Sequence, residues 1–166
     1  DQALLLRAFK RVREVVPEAR LIIAGQGRLE HELRTLSHDL GLSNHVDFTG
    51  QIEHDRLSEL YRQATVCVQS SRHEAQGMAM LEAAQYGVPL IGTAVGAIAD
   101  LSPEAAVAVP VSDEASLAQA ILAVWRDPLR RRQLGKAAQA SVAREYALTR
   151  AVDRAMMMYE MMTSDE

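Results

Sequence analysis

The spacing of apolar residues changes from one segment of this chain to the next, and it predicts helices that alternate with strands. From Gln2 to Val16 the apolar residues recur every three or four positions, which is the stripe of an amphipathic helix. The following run, "ARLIIAG", is continuously apolar and predicts a strand that is buried on both faces. The segment "NHVDFTG" instead alternates apolar and polar residues, which predicts a strand at the edge of a sheet.

The same alternation continues to the end of the chain. Further strands are predicted at "TVCVQ", "VPLIG" and "AAVAVPV", and further helices at Leu29–Leu40, Leu57–Ala64, Gly77–Tyr86, Leu117–Val124, from Asp127-Pro128 onward, and at 149–166. Strands that are joined through helices form right-handed crossovers and parallel sheets. The pattern therefore predicts an α/β fold that is Rossmann-like and doubly wound, with a mostly parallel sheet and helices on both faces.

The length and composition predict a single domain over residues 1–166, because 48% of the 166 residues are hydrophobic and 24% are charged. The chain opens on a helix at Asp1 rather than on methionine, so we expect a piece of a longer protein. In a doubly wound order, the apparently missing first strand would be a central one. Unpaired strand edges must be covered. We therefore expect either a gap in the sheet or self-association, in which a second chain supplies the strand.

Charge and cysteine content narrow the class of protein. The net charge of -4 argues against a nucleic-acid-binding domain, which needs a basic face. No apolar run approaches the ~18 residues of a membrane span. The single cysteine, Cys67, lies in an apolar strand and cannot form an internal disulfide, so we expect a reducing, cytoplasmic compartment. The five histidines have no ligand-like spacing, and we expect no metal site.

Two carboxylates near the middle of the chain are the candidate functional groups. The predicted helix Gly77–Tyr86 is apolar almost all round, so we expect it to be buried with Glu82 as its only charge. A buried, unpaired carboxylate costs several kcal/mol, so Glu82 needs a hydrogen-bonding partner or a polar ligand. Glu74 lies on the loop that leaves the strand "TVCVQ", and ligands of parallel sheets bind at this end of the strands. Gly77 and the helix start offer backbone N–H groups to a phosphate, so the stretch suits a sugar nucleotide.

This stretch resembles the signature of the group 1 (family 4) retaining glycosyltransferases, S-x-x-E-G-F-G-x-x-x-L-E-A-M-A-x-G-x-P-V-V. The chain matches it at Ser71, Glu74, Gly77, Leu81, Glu82, Ala83, Gly87 and Pro89. The segments "LLLRAF", "PEARLIIAGQG", "LGLSNHVDFTG", "LSELYRQATVCV" and "LRRRQLGKAA" resemble the donor-binding half of the family in order and spacing. The chain departs from the family where Ala75-Gln76 replaces Gly-Phe and Gly96-Ala97 replaces Gly-Gly.

The resemblance implies the C-terminal, donor-binding domain of a two-domain glycosyltransferase of the GT-B arrangement. Such an enzyme transfers a sugar from a nucleotide diphosphate sugar to an acceptor and uses no metal or other cofactor. In the family, the acceptor binds on the N-terminal domain, and an arginine and a lysine that hold the diphosphate lie upstream of the position of Asp1. Because catalysis needs both domains, the resemblance implies that this fragment alone is inactive.

The resemblance also assigns roles to individual residues. Glu74 is expected to accept hydrogen bonds from the transferred sugar and to support positive charge at its anomeric carbon, and Glu82 to accept from the ribose hydroxyls. The backbone amides of Gln76, Gly77 and Met78 are expected to meet sugar and diphosphate oxygens. The turn Gly50, Gln51 and Ile52 is expected to receive the base.

Several structural alternatives remain open at this point. Glu74 could only cap a helix start, and Glu82 could be a partly solvated helix residue. Gly25 could touch a phosphate, although a strand-to-helix turn needs such a glycine in any case. His73 could act as an acid or base, or be incidental. The methionines at 156–158, 161 and 162 could form one side of a closing helix or pack against another domain. For the whole chain, the alternatives are a non-catalytic Rossmann-like assembly or regulatory module and a sugar-nucleotide epimerase.

Overall fold

A computed structural model describes residues 1–145 of the chain, which form alternating helices and parallel strands. The helices are α1 (Gln2–Val15), α2 (Glu30–Asp39), α3 (His54–Gln63), α4 (Met78–Gln85), α5 (Ala97–Leu101), α6 (Glu114–Arg126) and α7 (Pro128–Glu145). The strands are β1 (Leu21–Ala24), β2 (Val46–Gly50), β3 (Cys67–Gln69), β4 (Leu90–Thr93) and β5 (Ala106–Val109). The predicted helix at 149–166, with its methionines, lies outside the described residues.

The strands form two parallel sheets, one with the order β1-β2 and one with the order β3-β4-β5. In the first, Leu21 pairs with Val46; in the second, Leu90 pairs with both Cys67 and Ala106. The prediction that β2 is an edge strand is confirmed. No ladder joins the two sheets within residues 1–145, so the described chain keeps the gap that was one of the two expected outcomes.

The core lies on both faces of the three-stranded sheet. Neighbouring residues of β4 point to opposite sides, and both Leu90 and Ile91 are fully buried. Ile91 belongs to an apolar cluster with α1 and α6, whereas Leu90 belongs to a second cluster with α4, α5 and α7. The predicted arrangement of a parallel sheet with helices on both faces is therefore confirmed.

Two predictions about burial are wrong. β1 is not buried on both faces: Ile22 is 46% exposed, whereas Leu21 and Ile23 pack against the core. A continuous apolar run does not reveal how many faces of a strand are covered, and the described chain covers one face of β1. α4 is not buried all round either, because Met78 is 57% exposed. Alanine and methionine count as apolar in a helical pattern, yet both are tolerated at a surface.

The turn after α4 makes a close contact with α7 and thereby holds α4 against the rest of the domain. Gly135 on α7 is buried, and a Cβ atom built on it would overlap the carbonyl oxygen of Gly87. Because the obstructing atom belongs to the backbone, it cannot move aside as a flexible side chain would. The Nε2 atom of Gln139 adds a hydrogen bond of 2.7 Å to the carbonyl oxygen of Gln85. Only glycine at position 135 permits this packing.

We predict that Gly135→Ala lowers the free energy of unfolding by about 1–3 kcal/mol, the usual cost of overpacking. This loss is expected although alanine raises helix propensity by about 1 kcal/mol. Urea unfolding measures the effect. Gly27→Ala is the control, because an added methyl group there would meet no atom of residues 1–145 within 4 Å. A stability of Gly135→Ala equal to or above that of the parent protein would contradict the predicted contact.

Candidate functional site

The loop between β3 and α4 carries Glu74 at the carboxyl end of the three-stranded sheet. Gln69, the last residue of β3, donates a hydrogen bond from Nε2 to Oε2 of Glu74 at 3.0 Å. The hydroxyl of Ser71 donates to the same oxygen at 3.4 Å. Gln69 is buried, whereas Glu74 is exposed. The protein therefore holds this carboxylate from one side and leaves it accessible from the other.

The same loop is tied to two other elements of the domain. Thr93, at the end of β4, is fully buried and donates from Oγ1 to the carbonyl oxygen of Ser71 at 2.6 Å. Ser70 donates from Oγ to the carbonyl oxygen of Asp1 at 2.9 Å. Arg72 pairs with the carboxylate of Asp1, with a distance of 2.7 Å from Nε to Oδ2. The loop that carries Glu74 is thus fixed to β4 and to the start of α1.

The turn between β4 and α5 lies directly against this loop. The backbone N–H of Ala97 donates to the carbonyl oxygen of Gln76 at 2.7 Å. Gly96 has a φ of 52°, and a Cβ atom at this position would lie 2.8 Å from Cγ of Glu74 and 3.1 Å from the carbonyl oxygen of Gln76. Both the backbone angle and the close contact require glycine here. Gly96 therefore determines how near Glu74 lies to the β4–α5 turn.

Glu74 lines an open concavity of about 590 Å³. The other residues that line it are His73, Ala75, Ala94, Val95, Gly96 and Ala99. Among the described residues, the predicted ligand contacts Gln76, Gly77, Met78 and Glu82 do not line this concavity. The concavity thus brings His73 and Glu74 together among small residues.

The start of α4 follows this concavity along the chain. Gly77 is the N-cap residue of α4, with a φ of 83°, and glycine has no side chain of its own to cap this helix end. The N–H groups of a first helical turn have no partner within their own helix, and together with the helix dipole they attract anions. Gln76 and Met78 are both exposed on either side of Gly77. The arrangement is that of an uncapped helix start next to Glu74.

Glu82 lies further along α4 and differs from the prediction. It is half-buried rather than buried, and the hydroxyl of Tyr61 lies 3.4 Å from its Oε2 atom and 3.3 Å from the carbonyl oxygen of Ala79, so that one hydroxyl proton serves both acceptors. None of the ion pairs within residues 1–145 involves Glu82. The ring of Tyr61 stacks on Tyr86 with 5.6 Å between the centroids. Burial, followed by the nearby Cys67 and Glu82, raises the pKa of Tyr61, so its hydroxyl stays protonated and can donate.

A second group of predicted residues meets at the carboxyl end of the β1-β2 sheet. The N–H of Gly25 donates to the carbonyl oxygen of Gly50 at 2.8 Å. Nε2 of Gln26 donates to Oε1 of Gln51 at 3.3 Å. Ile52 follows as a partly buried residue before α3. Gly25, Gly50, Gln51 and Ile52 are thus neighbours, but none of them lines the concavity at Glu74.

Sequence reasoning missed two residues that hold the carboxylates. Gln69 is a buried polar residue at the end of an apolar strand, and this unusual pairing of residue type and position was the available signal. Tyr61 was counted only as an apolar position of its helix. Its contact with Glu82 links α3 to α4, and no local pattern reports such a contact.

Within residues 1–145, no three His, Cys, Asp or Glu side chains are grouped closely enough to bind a metal ion. The helices of this region are also too short or too polar to cross a bilayer.

Cys67 is a free thiol on β3, and burial raises its pKa to about 12. This partly buried thiol therefore behaves as a small packing residue rather than as a nucleophile.

Comparison with known proteins identifies the family. Residues 1–141 match the sequence model of the family described as "Glycosyl transferases group 1". The match covers well over half of the chain, and the chain therefore belongs to this family.

Individual proteins agree with this assignment. The chain is 32% identical over 151 residues to the GDP-mannose-dependent monoacylated alpha-(1-6)-phosphatidylinositol monomannoside mannosyltransferase of Corynebacterium glutamicum, covering 86% of this chain and 39% of that protein. Sucrose-phosphate synthase from Thermosynechococcus elongatus superposes with a TM-score of 0.83 at 27% identity, over 100% of this chain and 44% of that one. Anabaena HepE, solved in complex with UDP, shares the fold with a TM-score of 0.83 at 21% identity, over 99% and 45% of the two chains. The chain thus spans less than half the length of these proteins.

We predict that Gly96→Ala moves Glu74 and lowers the free energy of unfolding by more than backbone strain alone. Gly41→Ala is the control for a positive φ without a steric contact, since Gly41 has a φ of 72° and an added Cβ there would meet nothing within 4 Å among residues 1–145, although Gly96 differs from it further in its ψ of -141°. The control should cost about 1–2 kcal/mol for the left-handed conformation. Gly96→Ala should cost about 1–3 kcal/mol more because its methyl group overlaps Glu74. Urea unfolding of both variants measures the difference, and equal losses would contradict the contact.

Proposed function

We propose that this chain is the C-terminal, donor-binding domain of a retaining glycosyltransferase of the GT-B arrangement. The whole enzyme would transfer a sugar from a nucleotide diphosphate sugar to an acceptor. The single observation that carries the proposal is the position of Glu74, which is held by Gln69 at the carboxyl end of a parallel sheet and opens onto a concavity. Membership of the group 1 family supports the same conclusion.

Glu74 would act on the transferred sugar. Its Oε2 atom is engaged by Gln69 and Ser71, and its carboxylate is exposed toward the concavity. It would accept hydrogen bonds from sugar hydroxyls and stabilise the positive charge that develops at the anomeric carbon as the glycosidic bond breaks. The uncapped amides at Gln76, Gly77 and Met78 would meet the sugar and diphosphate oxygens, where the helix dipole favours negative charge.

Glu82 would accept from the ribose hydroxyls of the nucleotide. The Tyr61 hydroxyl, shared with the carbonyl oxygen of Ala79, already reaches Oε2, and within the described residues no hydrogen bond reaches Oε1. A carboxylate oriented by one neutral donor keeps its charge and its remaining acceptor sites for a ligand. Because Glu82 is half-buried, solvent also stabilises its charge, and the carboxylate remains accessible to a ligand as an acceptor.

The nucleotide base would lie toward the end of the β1-β2 sheet, at Gly50, Gln51 and Ile52, and Gly25 would approach a phosphate. The identity of the nucleotide is open to test, since the Corynebacterium relative is named as GDP-mannose-dependent and HepE was solved with UDP.

We further propose that the acceptor binds on a separate domain and that the enzyme works in the cytoplasm, which suits the free thiol of Cys67. Self-association through the sheet gap remains a prediction.

We predict that Glu82→Ala abolishes the thermal shift that the protein shows with its nucleotide, tested with UDP, GDP and ADP. Losing charge-assisted hydrogen bonds to the ribose is worth about 1.5–3 kcal/mol, which weakens binding by about 10- to 100-fold. Glu104→Ala removes an equally charged but exposed side chain outside the site and should leave the shift unchanged.

Wild-type protein that responds to none of the three nucleotides would overturn the proposal and favour a non-catalytic module. Product analysis on the full-length protein separates sugar transfer from epimerisation of the sugar nucleotide. We also expect residues 1–166 alone to bind the nucleotide without turnover, because the acceptor domain is needed for catalysis. Measurable sugar transfer by residues 1–166 alone would contradict the expectation that catalysis needs the acceptor domain.

A further inference from the structure

Gln69 ends β3 with a buried carboxamide that has only part of its hydrogen bonding satisfied. The residue is 8% exposed and follows Cys67 and Val68 in a short strand. Its Nε2 atom donates to Oε2 of Glu74 at 3.0 Å and lies 3.5 Å from Oγ of Ser71. Its Oε1 atom is buried and has no hydrogen-bond partner in the described residues. A buried polar atom without a partner is costly, so the arrangement calls for an explanation.

The orientation of the carboxamide follows from its neighbours. Rotating the amide by half a turn would place Oε1 against the Glu74 carboxylate, where two acceptors would face each other. The observed orientation instead presents an N–H donor to Glu74 and leaves Oε1 unsatisfied. The side chain thus gives up one of its own hydrogen bonds in order to hold the carboxylate.

Close backbone packing keeps Gln69 in place. A Cβ atom on Gly77 would lie 3.1 Å from Oε1 and 3.4 Å from Nε2 of Gln69. A Cβ atom on Gly92, in the neighbouring strand β4, would lie 3.1 Å from Cβ of Gln69 and would overlap its carbonyl oxygen. The side chain is therefore enclosed between β4 and the start of α4, and only glycine at positions 77 and 92 leaves enough space for it. A donor that is enclosed in this way can orient Glu74 with little freedom of its own.

We propose that Gln69 is a positioning residue that fixes the Glu74 carboxylate for its work on the transferred sugar. This inference rests on the proposed function, because it assigns the effect of Gln69 to the sugar half of the donor. Gln69 is buried behind Glu74, so it acts through that carboxylate. Its removal should therefore weaken recognition of the sugar and slow the reaction, while binding of the nucleotide half stays the same.

The test uses Gln69→Met and Gln69→Glu in the full-length protein. Methionine has a similar length and fills the same space without a donor, whereas glutamate keeps the shape but sets a second carboxylate against Glu74. Gln133→Met is the control, because Gln133 is exposed on α7. Binding is measured by calorimetry with UDP against UDP-glucose and with GDP against GDP-mannose. Release of the sugar to water from the preferred donor gives kcat and KM without knowledge of the acceptor.

We expect Gln69→Met to bind the free nucleotide with a Kd within about 2-fold of the wild-type value. The extra affinity that the sugar contributes, which is the ratio of the Kd for the free nucleotide to the Kd for the nucleotide sugar, should fall about 10-fold. We expect kcat to fall about 10- to 100-fold, because misplacement of a group that acts on the transition state affects the chemical step most, and KM to rise by at most about 10-fold with the lost sugar affinity. Gln69→Glu should lose at least as much. In ligand-free crystals of Gln69→Met, the Glu74 side chain should occupy more than one rotamer.

Two results would overturn the inference while leaving the proposed function standing. In the first, wild type binds nucleotide sugars, and Gln69→Met keeps both the wild-type kcat and the extra affinity that the sugar adds to the free nucleotide. In the other, Gln69→Met loses free-nucleotide affinity and melting temperature together, which shows a packing role only. If Gln69→Met does not fold, the shape-preserving Gln69→Glu decides by the same criteria. Wild-type protein that binds no nucleotide overturns the proposed function and this inference together.

Discussion

The contact between the β4–α5 turn and the loop after β3 is the constraint on which the candidate site depends. Gly96 lies so close to Glu74 that no side chain fits at position 96, and the N–H of Ala97 holds the carbonyl oxygen of Gln76. This contact fixes the residues just before α4. Because α4 is a rigid rod that begins there, the same contact also sets where Glu82 lies, one turn beyond Met78. One close backbone approach thus positions both carboxylates.

Neutral donors hold the two carboxylates. Gln69 donates to Glu74, and Tyr61 donates to Glu82. A salt bridge would offset much of the negative charge, whereas an amide or a hydroxyl orients the carboxylate and leaves its charge in place. This choice of partners suits groups that accept from sugar hydroxyls and face a developing positive charge. Within residues 1–145 the half-buried Glu82 has no cation partner, and its contact with Tyr61 orients it instead.

The two parallel sheets divide the candidate residues into two groups. The end of the three-stranded sheet carries Glu74 and the start of α4, while the end of the β1-β2 sheet carries Gly25 and Gly50. In parallel sheets, ligands bind beyond the carboxyl ends of the strands, and both groups lie at such ends. The ligand proposed above, a sugar diphosphate joined to a nucleoside, has two chemically different halves that would match this division. Membership of the group 1 glycosyltransferase family, shown by residues 1–141, is consistent with this placement of the proposed ligand.

The amino-acid sequence by itself determined the order of the strands and of the described helices except α5, the edge position of β2, and the choice of Glu74 and Glu82 as candidates. These features follow from local periodicity and from the residue types at a strand end and a helix start. Tertiary structure alone decided that one face of β1 and part of α4 are exposed, that Tyr61 reaches Glu82, and that Gly96 touches Glu74. Periodicity shows which side of an element is apolar, but it does not show what covers that side. Contacts between residues 20 or so positions apart, such as Tyr61 and Glu82 at a separation of 21, are set by strand pairing and helix packing rather than by any local pattern.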